Sequence, residues 1–180
     1  MSDNALTLLT ERLILRPPTM DDFAVHAANQ ADPDVMRYIA GEPVGEEDAW
    51  RRFMSAVGHW ALFGYGFWAV EERASGRVFG EVGFINARRE IRTGDHDAEM
   101  GWLLGPAGQG KGYALEAGRA VMNWGRAHLD AERFTALISP ENAASIRLAE
   151  RLGFALERQA AYKNKPTNIY VCPFERLASD

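Results

Sequence analysis

Residues 98–118 read AEMGWLLGPAGQGKGYALEAG. A strand-like run ends at Leu103-Leu104, and Gly105-Pro106 breaks it; Gly108, Gly110 and Gly112 follow, and a helical pattern starts behind them. Strand, glycine turn and helix together suit an anion. Residues without Cβ let backbone N–H groups converge, and the helix N-terminus adds positive partial charge. The segment G-P-A-G-Q-G-K satisfies the front of a nucleotide P-loop, with Lys111 as its charged residue. The hydroxyl that would hold Mg²⁺ is missing, because Gly112 stands where Ser or Thr is needed. The following strand, FTALIS at 134–139, ends in Ser139-Pro140 and offers no Asp to complete a metal site. These departures argue against nucleotide hydrolysis. They leave a metal-free cradle for the pyrophosphate of an organic cofactor, with a plain glycine-rich turn as the alternative.

Outward from this stretch, hydrophobic periodicity predicts the remaining elements. Residues 6–16 read as one strand, with Leu13 and Leu15 alternating against Arg12 and Arg16, and Pro17-Pro18 stops it. Thr19 caps a helix running to about Asn29, with Asp21 and Asp22 at its positive end. A loop holding Asp32, Pro33 and Gly41 leads to a helix over 46–63, whose Trp50, Phe53, Met54, Val57, Trp60 and Ala61 mark a buried face. Strands are predicted at 67–72 and 78–86 around a turn at Ala74-Ser75-Gly76. The polar run 88–97 reads as an exposed loop, its Arg88, Arg89 and Arg92 as a solvated face. The strand over 98–104 and the helix over 112–128 come next; Ala114, Gly118, Val121 and Gly125 give that helix a small-residue stripe that lets it lie close on a sheet. A strand at 134–139, a helix at 142–152 ended by Gly153, and strands at 154–162 and 168–174 complete the chain. The order β-α-α-β-β-β-α-β-α-β-β predicts an α+β fold, a mixed sheet flanked by helices.

The 180 residues suit a single domain over 1–180, 47 % of them apolar and 25 % charged. A net charge of −5 argues against a nucleic-acid partner or an anionic membrane surface. Cys172 is the sole cysteine and reads as a buried structural thiol, and His26, His59, His96 and His128 lack ligand spacing, so no metal is expected. The opening residues have no basic segment followed by an apolar run, and no apolar run reaches membrane-spanning length. A cytoplasmic protein without a secretory leader is expected.

Gln109, Gly110, Lys111, Gly112, Tyr113 and Ala114 match Q/R-x-x-G-x-G/A, the acetyl-coenzyme A signature of the GNAT family of N-acetyltransferases. The chain resembles that family along nearly its whole length and in family order. Residues 99–104 resemble its central strand. Ser139-Pro140-Glu141-Asn142-Ala143-Ala144-Ser145 with Leu152-Gly153-Phe154 resembles its P-x-N-x-x-S…L-G-F segment. Thr10-Glu11-Arg12-Leu13-Ile14-Leu15-Arg16 resembles the opening strand of the RimJ/RimL-type subgroup, whose known members acetylate ribosomal-protein N-termini.

The resemblance implies a mostly antiparallel sheet splayed between its fourth and fifth strands, with acetyl-CoA as co-substrate and no metal. Amides near Trp102, Leu103 and Leu104 would bind pantetheine, one of them polarising the thioester. Those of residues 109–114 would hold the pyrophosphate, and Asn142 would both cap its helix and touch the cofactor. Glu99 is the implied general base, with a solvent-facing or Arg-paired strand glutamate as the alternative; Glu81 is weaker, its alternation placing it outward. Many relatives protonate the leaving thiolate with a Tyr where this chain has Ala149. Ser145 is the implied substitute, with a helix-capping role equally open. A late Glu that serves RimL-type proteins as base aligns with Asn164. The acceptor would lie between the first two helices and the last hairpin, near Asp32, Asp34, Tyr38 and Glu42 on one side and Tyr162 and Lys163 on the other. The function implied is N-acetyl transfer to a primary amine. A non-catalytic acyl-CoA-binding sensor or partner-binding module is the alternative, and a homodimer is the assembly that family habit suggests.

Overall fold

The computed structural model describes residues 6–91 and 97–173. Its sheet begins where the leading strand breaks in two. Leu8–Leu9 (β1) folds back antiparallel on Leu13–Arg16 (β2), Leu8 opposite Leu15. No glycine or proline marks this turn in the sequence. Thr10 closes it: its N–H donates to the Leu13 carbonyl (3.0 Å) and its Oγ1 accepts from the Leu13 N–H (3.0 Å). A short 3-10 turn, Met20–Asp22, leads into Phe23–Ala31 (α1). Pro33–Met36 (α2) is helical where a loop was expected. Asp32 accepts from the N–H groups of Asp34 and Val35, and Pro33 at the first position costs no hydrogen bond. Glu46–Phe63 (α3) spans its predicted range and stops at Gly64, whose φ of 72° suits a residue without Cβ. Its buried stripe is narrower than expected: Ala49, Phe53 and Trp60 are buried, while Trp50, Met54 and Ala61 flank that stripe and are exposed.

The remaining elements are Phe67–Glu72 (β3), Val78–Ile85 (β4), Asp97–Leu104 (β5), Tyr113–His128 (α4), Arg133–Ile138 (β6), Ala143–Arg151 (α5), Ala155–Tyr162 (β7) and Lys165–Pro173 (β8). The last strand starts earlier than expected because Lys163 and Asn164, both at positive φ, make a tight hairpin turn. Phe174, its expected end, lies outside the described residues. All eight strands form one sheet in the order β1-β2-β3-β4-β5-β6-β8-β7. Every neighbouring pair is antiparallel except β5 with β6, which run parallel and meet only at Asp97–Arg133, Ala98–Phe134 and Glu99–Thr135. Beyond Glu99 the two strands part, which is the expected splay.

The main core lies between one face of the sheet and α4. Val70, Val82, Phe84 and Met100 pack against Ala117, Val121 and Met122, all essentially buried. Burial of each large apolar side chain is worth about 1.5–3 kcal/mol. The small-residue stripe brings α4 down close: a Cβ on Gly125 would lie 2.6 Å from the Phe84 ring. On the opposite face Leu103 packs against Met36, Val44 and Ala49. No helix among the described residues is long and apolar enough to cross a membrane.

Candidate active site

Backbone direction decides what β5 offers to a ligand. The Gly105 N–H bonds to the Phe79 carbonyl (2.8 Å), and Leu103 stands opposite Glu81 in the ladder. Backbone groups alternate sides along a strand, so Leu103 spends its N–H and C=O on β4. Trp102 and Leu104 turn theirs to the other side, into the opening between β5 and β6. Of the three residues expected to bind there through the backbone, two therefore face it. The Leu104 carbonyl is already taken by the Gln109 side chain (Nε2 to O, 2.8 Å), which staples the strand end to the glycine loop. An extended chain could pair with the remaining groups as an added strand.

The loop itself presents backbone. Gly110 and Gly112 hold φ of 73° and 80°, and nothing lies within 4 Å of a Cβ built on Gly110. The N–H groups of Gly110, Lys111, Gly112, Tyr113 and Ala114 have no acceptor among the described residues, and they stand at the N-terminus of α4. Donors in that setting suit a diphosphate. Side chains turn away from this role. The Lys111 ammonium lies over the Phe79 ring (4.9 Å) and near that of Tyr113 (5.7 Å). The Tyr113 ring is buried on Phe79, and its hydroxyl bonds to Glu72.

Glu99 is the last residue of β5 paired with β6, so it sits at the fork of the splay. Arg89 holds it. Nε donates to both carboxylate oxygens (2.8 and 2.7 Å), and Nη2 donates to Oε1 (2.6 Å). Nη1 of Arg89 donates to the Tyr162 hydroxyl (3.0 Å), with the guanidinium over that ring. Burial pulls the Arg89 pKa down, but the Glu99 carboxylate and Tyr162 outweigh it and hold the value above the ordinary one. The solvated basic face expected around Arg88, Arg89 and Arg92 is thus corrected for Arg89: a half-buried carboxylate with two oxygens to satisfy draws it inward. Arg88 is exposed, and Arg92 lies outside the described residues. Beside Glu99 in register, Thr135 is fully buried and its hydroxyl has no partner among the described residues. Glu99 is thus paired with an arginine, as the alternative reading of this residue held; Thr135 carried no signal in the sequence.

On the core side of the splay, the Trp102 indole reaches from β5 to α5, where Nε1 donates to Ser145 Oγ (3.1 Å). Asn142 caps α5 through the Ser145 N–H (3.1 Å). The capping oxygen is therefore Asn142's, and the Ser145 hydroxyl keeps its own proton available. Ala149 is fully buried in the core.

The remaining polar candidates divide. Asp32 is spent on capping α2, while Asp34 and Glu42 are exposed. A Cβ on Gly41 would lie 2.7 Å from Lys165 Nζ, so the loop before α3 and the β7–β8 hairpin approach each other. Tyr162 joins the Glu99 group, and Lys163 lies over its ring. Glu81 does not face outward as expected; α1 covers it, with His26 Nδ1 3.5 Å from its carboxylate. His59 links α3 to Tyr65 and Asn86, His128 bonds back to Trp124, and His96 lies outside the described residues. No group of potential metal ligands occurs among the described residues.

Residues 12–155 match the family model of the acetyltransferase (GNAT) domain. The chain is 31 % identical over 152 residues to the uncharacterized N-acetyltransferase p20 of Bacillus licheniformis, covering 84 % of this chain and 83 % of that protein. The crystal structure of an acetyltransferase from Agrobacterium tumefaciens aligns at 29 % identity with a TM-score of 0.78, covering 95 % of this chain and 96 % of the other. RimL, a ribosomal alpha-N-protein acetyltransferase solved with coenzyme A, shares the fold at 17 % identity and a TM-score of 0.76, covering 93 % of this chain and 98 % of that one. Splayed sheet, glycine loop and family match agree, and the chain belongs to the GNAT family as an acetyl-CoA-dependent acetyltransferase.

Proposed function

We propose that the enzyme moves the acetyl group of acetyl-CoA directly to a primary amine, either a peptide or protein N-terminus or a small-molecule amine, with Glu99 as general base. The observation that carries this reading is the place of Glu99 at the fork where β5 leaves β6. Three residues on, Trp102 directs its backbone into the same opening, about 10 Å farther along the strand. That span leaves room for the acceptor amine and a bridging water between carboxylate and thioester.

Bound acetyl-CoA supplies the activated acyl group. The free N–H groups of Gly110, Lys111, Gly112, Tyr113 and Ala114 would hold its diphosphate, and the edge of β5 at Trp102 and Leu104 its pantetheine arm. Glu99 takes one proton from the ammonium, and the neutral nitrogen attacks the thioester carbon. A backbone N–H facing the opening stabilises the oxyanion. On collapse the C–S bond breaks. The second amine proton passes to the thiolate, with the Ser145 hydroxyl as the relay because Trp102 leaves its proton free. The opening strand Thr10 to Arg16 supports the RimJ/RimL-type subgroup; Asn164 in the hairpin turn, in place of a carboxylate, points to an acceptor other than a ribosomal protein.

The test is thiol release from acetyl-CoA with N-terminal peptides, aminoglycosides and polyamines, comparing wild type with Glu99→Gln. Turnover on one class is expected, abolished in the variant while coenzyme A affinity stays. A variant that turns over like wild type would remove Glu99 from the mechanism. Saturable binding without turnover on any amine would overturn the reaction.

A further inference from the structure

We infer that Arg12, outside the glycine signature, is the positioning residue that sets the diphosphate cradle. The inference rests on the reading of that loop as the coenzyme A site. Arg12 lies in the turn between β1 and β2, and its Nη1 donates to the Lys111 carbonyl (3.0 Å). The Lys111–Gly112 peptide is trans. In a trans peptide C=O and N–H point in opposite directions, so holding this carbonyl turns the Gly112 N–H away from Arg12. Sheet order puts β2 and the β5–β6 opening on opposite flanks of β3 and β4. The Gly112 N–H is thereby aimed to the cofactor side.

The hold matters because of what flanks that peptide. Gly110 and Gly112 both sit at positive φ, and glycines cross between backbone regions at little cost. A rotation of the Lys111–Gly112 plane would replace a donor in the cradle with a carbonyl oxygen facing the diphosphate. Arg12 opposes that rotation.

Arg12 is itself fixed by a clasp. Glu116, in the first turn of α4, accepts from Arg12 Nε (2.8 Å) and Nη2 (2.7 Å), and its other oxygen accepts from the Arg12 N–H (2.8 Å) and the Thr10 hydroxyl (2.6 Å). Burial acts to raise the Glu116 pKa, and these bonds from Thr10 and Arg12 more than offset it, leaving it lowered. The guanidinium therefore has two nitrogens on Glu116 and the third on the loop. Since Glu116 neutralises its charge, Arg12 acts through orientation. The Arg12 side chain is 44 % exposed, so its ion pair adds little to global stability. The Thr10-Glu11-Arg12 stretch that begins the subgroup-like strand has, on this reading, a task at the far end of the site.

The experiment uses the full chain, coenzyme A and pantetheine as probes, and two variants. Arg12→Gln removes the bond to Lys111. Thr10→Val loosens the clasp and the turn that carries Arg12, but keeps the guanidinium that reaches Lys111. By calorimetry, Arg12→Gln is expected to bind coenzyme A about five- to tenfold more weakly, the cost of one charge-assisted hydrogen bond's orientation. Thr10→Val should weaken that binding less than Arg12→Gln does, because the bond from Arg12 to Lys111 can still form. Pantetheine, which lacks the diphosphate, should compete equally well with wild type and Arg12→Gln. The inference is overturned if Arg12→Gln binds coenzyme A like wild type, if Thr10→Val weakens it equally, or if pantetheine loses as much as coenzyme A. Wild type that binds no coenzyme A would instead overturn the reading of the loop beneath it.

Discussion

Arg89 and Glu99 are joined by three contacts of 2.8, 2.7 and 2.6 Å at the point where the sheet opens. The guanidinium fixes both oxygens of the carboxylate that we assign as base, and Tyr162 fixes the guanidinium. Arg89→Met should lower kcat by about 10–100-fold, the scale of a misplaced catalytic group, while coenzyme A affinity stays unchanged. Arg89→Lys should recover part of the loss, because an ammonium keeps the charge and loses the fork. Steady-state kinetics beside calorimetry separates the two effects, and equal kcat in all three proteins would sink the positioning role.

At Gly110 the cradle has open space and a left-handed backbone. Valine fits sterically there but costs about 1–2 kcal/mol of backbone strain. For a chain of this length that lowers the melting temperature by about 2–8 °C. Its methyl groups would occupy the volume that a diphosphate needs. Gly110→Val is therefore expected to weaken coenzyme A binding by more than tenfold, about 1.4 kcal/mol. Unchanged affinity in a folded variant would move the cofactor elsewhere.

Two glycines of α4 should answer alanine substitution differently. At Gly118 the new Cβ meets the methyl ends of Leu152 at 2.9 and 3.0 Å, groups that can rotate away. At Gly125 it meets the rings of Phe84 at 2.6 Å and Phe134 at 3.0 Å, both buried. Alanine gains about 1 kcal/mol of helix propensity at either site. Gly118→Ala should stay within about 1 kcal/mol of wild type, and Gly125→Ala should lose about 1–3 kcal/mol net by overpacking. Urea denaturation reads both.

Asp22 contributes to the acid limb of stability. Burial raises its pKa, and the bidentate Arg16 guanidinium with the Thr19 N–H lowers it further than that, leaving it depressed. A depressed folded pKa stabilises the fold above the unfolded value of about 3.9, and the contribution disappears as pH falls through the folded value. Asp22→Asn should cost about 1.5–3 kcal/mol at pH 7, where wild type makes charged hydrogen bonds. The gap between the two should narrow when both are unfolded at pH 3. A gap that stays constant would mean that Asp22 contributes no ionised contact.

Periodic elements were legible from the sequence. Glu46–Phe63 and Phe67–Glu72 occupy the spans that their patterns predict, and the stripe of α4 packs as a close-approach face. What failed to show was structure made by distant partners. The turn at Thr10 has no turn residue; Thr10 itself and Glu116, over a hundred positions away, hold it. Arg89 sits in a run of charge that reads as solvated, and only the folded sheet brings Glu99 and Tyr162 to it. Leu103 looked equivalent to its neighbours until strand direction gave its amide to β4. The short helix at Pro33 was locally encoded by Asp32-Pro33, yet four residues are too few for a periodic signal.

The sheet hangs together at β5 and β6 by three residue pairs. On one side stand β1 to β5, on the other the leaf of β6, β8 and β7. A cofactor laid along β5 would add the missing rungs at the seam, and ligand at a hundredfold excess over its Kd stabilises a fold by about 2.7 kcal/mol. Proteases act on the transiently opened chain, so the survival of this enzyme would follow the supply of acetyl-CoA. A cell short of that metabolite would then lose the catalyst that spends it.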